Sequence, residues 1–237
     1  MADPLAPEAP RPVTCRFGPL DVTYDQRVLV PRPWTLAQSR WAAALVTGCG
    51  PGRLLELCAG VGHIGLAAAV LAERGLVQVE LDPVAAGYAR ANAERAGWAA
   101  RVEVRIGPLA GAIEAHERFP LVIADPPYLP TVDIGRFPED PRLAIDGGAD
   151  GLDVVRACLS VAGRHLQAGG ALILQVAGPG QARAVEALVA ARPVGALQPV
   201  DTRVVNQERA LVLLRQAGTP AVPAGRAGHP GGPTPPP

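Results

Sequence analysis

The sequence predicts an α/β fold with a mostly parallel seven-stranded sheet, an antiparallel strand near the C-terminus and a short β-hairpin before the sheet. Three observations predict it. Short apolar runs alternate with Ala- and Leu-rich helical stretches, and a glycine-rich turn follows the first run of the sheet. The last two runs are joined too tightly for a crossover helix, so one of their strands should run antiparallel.

The individual elements follow from local patterns. The hairpin is predicted over residues 20–30, where apolar and polar residues alternate on both sides of Asp25. Thr35 is a candidate N-cap for the first helix. Pro83 in the first turn of a later helix and Gly97 just past its end follow the usual asymmetry of helix termini. The strands of the sheet are predicted over 53–58, 76–81, 101–106, 119–124, 170–177, 197–206 and 209–215, with further helices over 64–74, 150–167 and 181–191.

The composition is that of a soluble globular protein. The 237 residues are 49% hydrophobic and 19% charged, with a formal net charge of zero. No overall basic field would therefore draw the protein to nucleic acid or to an anionic membrane. Four scattered cysteines without a C-x-x-C pair predict reduced thiols and no metal site, and the N-terminus lacks a signal-peptide pattern. We expect a cytoplasmic protein.

Both ends of the chain are predicted to be disordered. Residues 1–12 contain four prolines, and residues 218–237 contain seven prolines and five glycines. Neither segment can bury enough apolar surface to offset the entropy of ordering it. One folded domain is therefore predicted over residues 13–217.

A glycine-rich segment, ELCAGVGHIG (56–65), follows the first strand of the sheet. It holds Gly60, Gly62 and Gly65 in G-x-G-x-x-G spacing, and Glu80 follows Gly60 by 20 residues, at the end of the next strand. Glycines let the backbone approach a ligand closely, and an acid at that strand end can accept both ribose hydroxyl protons. The spacing alone fits a dinucleotide site.

Two details favour S-adenosylmethionine (SAM) over a dinucleotide. Glu56 precedes Gly60 by four residues, and an acid there suits a cationic or amino-bearing ligand rather than a pyrophosphate. A nicotinamide enzyme also has no evident need for Asp-Pro-Pro-Tyr after the fourth strand. An acid, a Gly-x-Gly and a ribose-binding acid are how class I methyltransferases hold SAM. We predict SAM, with a dinucleotide and a ligand-free turn as alternatives, and these contacts: Glu56, Cys58, Ala59, Gly60, Gly62, Glu80, Leu81 and Asp125.

The tetrapeptide Asp125-Pro126-Pro127-Tyr128 lies where ligands bind in such sheets, just beyond the carboxyl end of a strand. An amide or ring-amino nitrogen is a poor nucleophile because its lone pair is delocalised, so it must be held in line with the methyl group. The Asp125 carboxylate and the Pro126 carbonyl can accept hydrogen bonds from the two N–H groups of that nitrogen. The prolines make a rigid elbow, and Tyr128 can lie flat against a planar group. All four residues are predicted to bind substrate, and Asp125, Pro126 and Tyr128 to be catalytic; an ordinary proline turn is the alternative.

The chain resembles the HemK/PrmC-type protein-glutamine N5-methyltransferases, which modify the Gln of the Gly-Gly-Gln loop in translation release factors. The resemblance covers about residues 20–215. It rests on RVLVPRPWT (27–35), the glycine-rich segment, VELDPVAAGYARANAERAG (79–97) and, most specifically, LAIDGGADGLDVVRACLSVAGRHLQAGGALILQV (143–176). It implies a Rossmann-like class I methyltransferase fold and SAM as the methyl donor.

The family's tetrapeptide is Asn-Pro-Pro-Tyr, whose Asn side chain and first Pro carbonyl hold the substrate amide while the Tyr packs on it. The resemblance implies the same roles for Asp125, Pro126 and Tyr128. Asp in place of Asn is often found in enzymes that methylate adenine N6 or cytosine N4. It offers only acceptors and carries a charge, whereas Asn offers one acceptor and a donor.

Other positions also depart from the family. Its Glu after Pro-Arg-Pro is Trp34 here, and its acidic residue after the third strand is Pro108. We therefore expect the adenine to be held by backbone groups and by apolar cover such as Leu109. We also expect the chain to lack the family's N-terminal helical domain, because only about 50 residues precede the SAM loop.

The sequence thus predicts a SAM-dependent N-methyltransferase that acts on a planar amide nitrogen, most simply a protein glutamine, with a release factor as partner. An exocyclic base amine in nucleic acid is an alternative acceptor, and the neutral charge counts against it. A small molecule is another. A non-catalytic SAM-binding protein is a third, and the intact Asp-Pro-Pro-Tyr argues against it.

Four further side chains have two possible roles each. His63 is expected to pack at a helix start rather than to approach the methionine end of SAM. Arg32 either meets a carboxylate of SAM or substrate or braces the surface. Trp34 and Trp41 are expected in the core rather than in a substrate platform.

Overall fold

A computed structural model describes residues 11–191 and 196–217. The tails predicted over 1–12 and 218–237 lie outside these ranges, apart from Arg11 and Pro12. The strands are β1 (Val13–Phe17), β2 (Leu20–Tyr24), β3 (Leu54–Leu57), β4 (Leu76–Glu80), β5 (Val102–Ile106), β6 (Phe119–Ala124), β7 (Leu166–Val176), β8 (Leu197–Asn206) and β9 (Arg209–Gln216). The helices are α1 (Leu36–Val46), α2 (His63–Ala72), α3 (Pro83–Arg95), α4 (Arg142–Ile145), α5 (Asp153–His165) and α6 (Gly178–Ala191).

The predicted α/β fold is confirmed. Seven strands form one sheet in the order β5-β4-β3-β6-β7-β9-β8. Strand β9 runs antiparallel to both of its neighbours, and the other pairs are parallel. The chain moves outward from β3 to β5 and then returns to β6, which lies beside β3. The carboxyl ends of β3 and β6 therefore meet at the point where strand order reverses, which is where open α/β sheets bind ligands.

Helices cover the sheet on both faces. The four residues of β3 and the six of β6 are all buried, as expected of apolar strands in a parallel sheet with two covered faces. Leu55 and Val122 face the layer that contains α5 and α6. Leu54 and Leu121 face the layer that contains α1, α2 and α3. Burial on both faces fixes the two strand ends that carry the site.

The predicted hairpin exists, but it lies earlier in the chain. Strand β1 pairs with β2 from Val13 opposite Tyr24 to Phe17 opposite Leu20, and residues 27–30 form no strand. Beyond β2, Asp25 accepts hydrogen bonds from the backbone and guanidinium of Arg27 and from the Tyr88 hydroxyl. These contacts, with the Arg27 hydrogen bond foremost, hold the pKa of Asp25 far below its usual range. The acid ends the strand instead of turning a hairpin.

The helix termini agree with the sequence in one case and differ in another. Helix α3 begins at Pro83, and Gly97 beyond its end has φ +73°. Thr35 immediately precedes α1, but its hydroxyl donates to the Arg32 carbonyl at 2.8 Å rather than capping the helix, so that prediction is wrong. The cause is a short 3-10 turn, Pro33–Thr35, which leads into the helix. In the described ranges, no helix is long and apolar enough to cross a membrane.

Candidate active site

Two cavities meet at the carboxyl ends of the central strands. The large cavity, about 890 Å³, lies along the glycine-rich segment, the end of β4 and the loop after β5. The small cavity, about 490 Å³, lies between the Asp-Pro-Pro-Tyr elbow, Trp34 and the turn between β8 and β9. Asp125 lines both cavities. Of the predicted SAM contacts, the large cavity is lined by Cys58, Ala59, Gly60, Glu80, Leu81, Leu109 and Asp125.

The glycines of the loop serve two different purposes. Gly60 has φ +55°, and a Cβ there would meet nothing within 4 Å, so this glycine is needed for its left-handed backbone. Gly62 also has positive φ, but its Cβ would lie 2.7 Å from the Gln78 amide. A Cβ on Gly65 would collide with the Glu56 carboxylate. Gly62 and Gly65 therefore allow close packing beneath the loop, and Gly62 does not line the cavity.

Glu56 lies beneath the loop, and the structure does not bring it to the wall of either cavity. It is 2% exposed. One carboxyl oxygen accepts from the Gly65 backbone N–H at 2.7 Å, and the other accepts from the Gln78 amide at 2.6 Å. Burial raises the pKa of Glu56 to about 8, and these hydrogen bonds offset only part of the rise. Glu56 is placed to brace the loop from below.

Glu80 ends β4 at the wall of the large cavity. Its Oε2 accepts from the Gly60 N–H at 2.6 Å, and its Oε1 accepts from the N–H groups of Leu81 and Asp82 at 2.8 and 2.9 Å. Burial raises the pKa of Glu80 despite these bonds. A carboxylate offers about four acceptor sites. The Glu80 carboxylate can therefore fix the loop and still accept a ligand hydroxyl.

Asp125 is held by a residue that sequence analysis missed. Its Oδ1 accepts a hydrogen bond of 2.8 Å from the side-chain amide of Gln175, which lies in β7 and is 4% exposed. Burial raises the pKa of Asp125 to about 7, and the Gln175 hydrogen bond opposes this rise. The available signal was a single amide inside the otherwise apolar strand GALILQVA.

The elbow that follows Asp125 is locked against the segment IDGGADG (145–151). Gly147 donates to the Leu129 carbonyl at 2.8 Å, and a Cβ on Gly147 would lie 2.8 Å from the Pro127 carbonyl oxygen. The Tyr128 carbonyl accepts from the Gln181 amide at 2.8 Å. Burial raises the pKa of the Tyr128 phenol to about 12. All four residues of the tetrapeptide line the small cavity, on a backbone with little freedom to move.

Trp34 and Trp41 lie in different surroundings. Trp41 lies in the core, as predicted. Trp34 lines the small cavity, so its assignment to the core was wrong. The guanidinium of Arg209 covers its ring at 3.7 Å, and this partner comes from the distant strand β9. Arg32 lines both cavities and pairs with Asp140 at 2.7 Å.

His63 packs at the start of α2, as expected, and its ring also lines the large cavity. The ring meets Phe17 edge-on at 4.7 Å between centroids. Burial lowers the pKa of His63 to about 3, so the ring is neutral. Among the described residues, its Nδ1 has no hydrogen-bond partner. Within the same residues, no cluster of His, Cys, Asp or Glu is placed to hold a metal ion, and the four cysteines are free.

The chain is similar to curated proteins named release factor glutamine methyltransferase. It is 36% identical over 217 residues to the one from Rhodospirillum rubrum, which covers 87% of this chain and 64% of that protein. It is 37% identical over 185 residues to the one from Geobacter sulfurreducens, covering 73% and 61%. The chain thus spans about three fifths of the length of the curated relatives it matches. No protein-family model matches it.

Solved methyltransferases share the fold. A methyltransferase from Pyrococcus furiosus has a TM-score of 0.58 at 20% identity and covers 84% of this chain and 89% of its own. The catalytic domain of hMettl16, solved with a MAT2A 3'UTR hairpin, has a TM-score of 0.66 at 13% identity, with 84% and 75% covered. The fold is therefore the Rossmann-like class I methyltransferase fold, and the resemblance to the HemK/PrmC-type enzymes is confirmed over most of this chain.

Proposed function

Because its sequence is similar to that of release factor glutamine methyltransferases and its fold is that of class I methyltransferases, we propose that this chain is a SAM-dependent N-methyltransferase acting on a protein glutamine. One observation carries the proposal. Asp125 lies at the junction of two cavities, one large enough for a nucleoside-based donor and one beside it lined by an acceptor-rich elbow. A methyl group can pass from one cavity to the other only where they meet.

The large cavity suits SAM in shape and chemistry. Gly60 presents bare backbone to it, and Glu80 stands at its wall with acceptor capacity for a ribose hydroxyl. Leu81, Pro108 and Leu109 line the wall and give apolar cover for an adenine. When bound, SAM supplies an electrophilic methyl group on a positively charged sulfur. Pro108, which stands where the family has an acidic residue, is therefore compatible with a site that holds the adenine by apolar contact.

The acceptor nitrogen would be held by the elbow. Oδ1 of Asp125 is occupied by Gln175, and no described residue donates to Oδ2. Oδ2 and the Pro126 carbonyl can accept hydrogen bonds from the two N–H groups of a primary amide. They orient its lone pair toward the methyl group and stabilise the positive charge that develops on nitrogen. Tyr128 offers a flat, un-ionised ring against the amide plane. The proton that the nitrogen must lose can pass to Asp125, whose pKa of about 7 suits a proton acceptor near neutral pH.

An exocyclic base amine is the second candidate acceptor. The observation that favours it is Asp125 itself, because an acceptor-only side chain suits an amine with two N–H bonds. The charges around the small cavity count against a large nucleic-acid footprint. Arg136 and Arg209 are interspersed there with Asp133, Glu139 and Glu208, so the surface carries no single-signed field.

A transfer assay separates the two acceptors. The protein is incubated with methyl-labelled SAM and a host extract, and the labelled material is treated with protease or with nuclease; the Asp125→Ala variant is the matched control. We expect protease-sensitive label that mass spectrometry places on a glutamine. Nuclease-sensitive label would instead identify a base amine as the acceptor. If wild-type protein gave no more label than Asp125→Ala, catalysis by this site would be contradicted. A release factor as partner and the cytoplasm as location, where translation takes place, belong to the same proposal.

A further inference from the structure

We infer that Gln175 is a positioning residue for methyl transfer, whose side-chain amide fixes Asp125 so that the acceptor nitrogen meets a preset pair of oxygens. The inference rests on the proposed function and extends it to a residue in a different strand. Gln175 lines the small cavity beside both residues. It is 50 residues away from Asp125 along the chain.

The side-chain amide of Gln175 turns its donor end to Asp125. Its Nε2 donates to Asp125 Oδ1 at 2.8 Å. Interaction with the Gln175 side chain also lowers the pKa of the Tyr128 phenol, against the rise that burial causes. A single amide thereby ties the carboxylate that faces the substrate to strand β7. Because Oδ1 already accepts from Gln175, Oδ2 is the Asp125 oxygen that faces the substrate without a donor among the described residues.

Packing alone does not account for an amide at this position. The neighbours Leu174 and Val176 are fully buried apolar residues, and Gln175 pairs with Leu211 of β9. A buried amide costs free energy unless it is hydrogen-bonded, so an apolar residue would fill this strand more simply. Gln175 is therefore retained for what its amide holds, which is the elbow.

The charges near Asp125 make this amide important for the state of the carboxylate. Glu56 and Glu80 are the other buried acids at these strand ends, and Asp125 acts on the pKa of Glu56 as a like charge. Arg32 and Arg209 line the small cavity, but Arg32 is paired with Asp140 and Arg209 covers Trp34. The Gln175 amide is the interaction that opposes the effect of burial on Asp125. Its loss should shift ionisation of Asp125 to higher pH.

The test compares Gln175→Met with Gln167→Met. Gln167 lies in the same strand and donates to the Pro51 carbonyl at 2.9 Å, but at the opposite end of the sheet. For Gln175→Met we expect kcat to fall about 10- to 100-fold near pH 7.5. The acidic limb of the kcat profile should move to higher pH, and the deficit should narrow at alkaline pH, where Asp125 ionises without help. SAM affinity by calorimetry should stay within about twofold of wild type. Gln167→Met should behave as wild type.

Other results would overturn the inference. An unshifted acidic limb with near-wild-type kcat in Gln175→Met, or an equal loss in Gln167→Met, contradicts a positioning role. Gln175→Glu is the second variant, should the methionine disturb folding. This variant keeps the side-chain size and places a carboxyl group opposite Asp125 Oδ1. The acidic limb of its kcat profile should move to still higher pH than in Gln175→Met.

Failure of the proposed function can be told apart from failure of this inference. If wild-type protein transfers no methyl group to any acceptor, the proposed function is wrong. The Asp125 carboxyl can then still be titrated by NMR in protein carrying ¹³C-labelled aspartate, with Asp125→Asn to assign the signal. A pKa of Asp125 that rises in Gln175→Met supports the contact, and an unchanged pKa overturns it.

Discussion

Glu56 is a buried acid and Asp125 a half-buried one, at the ends of neighbouring parallel strands, and they differ in how fully the protein satisfies them. Glu56 in β3 has a donor on each oxygen, a backbone N–H and a side-chain amide. Asp125, just past β6, has one donor on one oxygen and lines two cavities. Burial raises the pKa of both, to about 8 and about 7.

The difference teaches how to separate a structural acid from a reactive one. A buried carboxyl group with a donor on each oxygen and no cavity beside it cannot reach a ligand, so it can only hold its surroundings in place. A buried carboxylate with a free oxygen at a cavity wall is costly unless a ligand satisfies it. By this criterion Glu56 supports the glycine-rich loop, and Asp125 is the residue that we propose meets the acceptor.

The largest expected effect comes from the reactive acid. Asp125→Ala should lower kcat for methyl transfer about 10²- to 10³-fold, because an acceptor preset for the developing charge is lost. SAM affinity should stay within a few-fold, since Glu80 and the loop remain in place. Stopped-flow or steady-state transfer rates and calorimetry check the two halves of this prediction. Comparable turnover in the variant would remove Asp125 from the mechanism.

The structural acid should behave in the opposite way. Glu56→Ala should lower the free energy of unfolding by about 2–5 kcal/mol, because the Gly65 N–H and the Gln78 amide each lose a partner in the interior. Denaturant titration measures the loss. Asp125→Ala is the matched control, and it should cost less, because only the Gln175 amide loses a partner. Equal stability of the two variants would erase the distinction between the acids.

Glu80 combines both roles and should show an intermediate effect. Glu80→Ala should weaken SAM binding by about 1–3 kcal/mol, as expected when a charged hydrogen-bond acceptor is lost. Calorimetry with SAM measures this change, and Glu94→Ala on the exposed part of α3 serves as control. Unchanged affinity would place the ribose elsewhere.

The raised pKa values of the two acids predict how stability depends on pH. Between about pH 4, where free carboxyl groups ionise, and pH 7–8, the folded protein keeps protons that the unfolded chain has released. Stability should therefore fall as pH rises through this window. Asp25 and Glu117 have lowered pKa values and act below it. His63, whose pKa burial lowers to about 3, opposes the trend up to about pH 6.5, so the fall is clearest above that pH. Thermal unfolding from pH 5.5 to 8.5 tests the trend, which Glu56→Gln should flatten. Stability that rises over this range would contradict the burial of these acids.

The smallest expected effect separates the two tryptophans. Trp34→Leu should raise KM for the acceptor about 2- to 5-fold, since the small cavity loses a wall stacked by Arg209. Trp41 has the same kind of partner, with Arg203 at 3.8 Å, but it lies in the core. Trp41→Leu should lower the unfolding midpoint and leave the acceptor KM unchanged. The same KM shift in both variants would argue against Trp34 as a cavity wall.

Local pattern was enough to predict most of the fold. Strand β6 begins and ends where its apolar run does, Phe119–Ala124, and helix α3 begins at its proline. The Asp-Pro-Pro-Tyr elbow and Glu80 were predicted at strand ends and are found there. The hairpin was predicted too late in the chain because Asp25, between two alternating runs, was interpreted as part of its turn. In the structure Asp25 instead accepts hydrogen bonds from Arg27 and Tyr88.

What the sequence did not disclose depends on contacts between distant segments. Glu56 fits a ligand-binding template, but its register opposite Gln78 in β4 satisfies it internally. Gln175 is one amide in an apolar strand, and only the parallel pairing of β6 with β7 brings it to Asp125. Trp34 lines a cavity because Arg209, far along the chain, covers its ring. Each is set by sheet order, which local sequence does not encode.

In the proposed reaction, Asp125 directs a methyl group from SAM to a glutamine nitrogen. The most direct measurement is transfer of labelled methyl from SAM to a purified release factor, beside the same factor with its Gly-Gly-Gln glutamine replaced by alanine. We expect label on the native factor with wild-type protein, and none with either the altered factor or Asp125→Ala. Equal labelling of both factors, or no labelling of the native one, would contradict it.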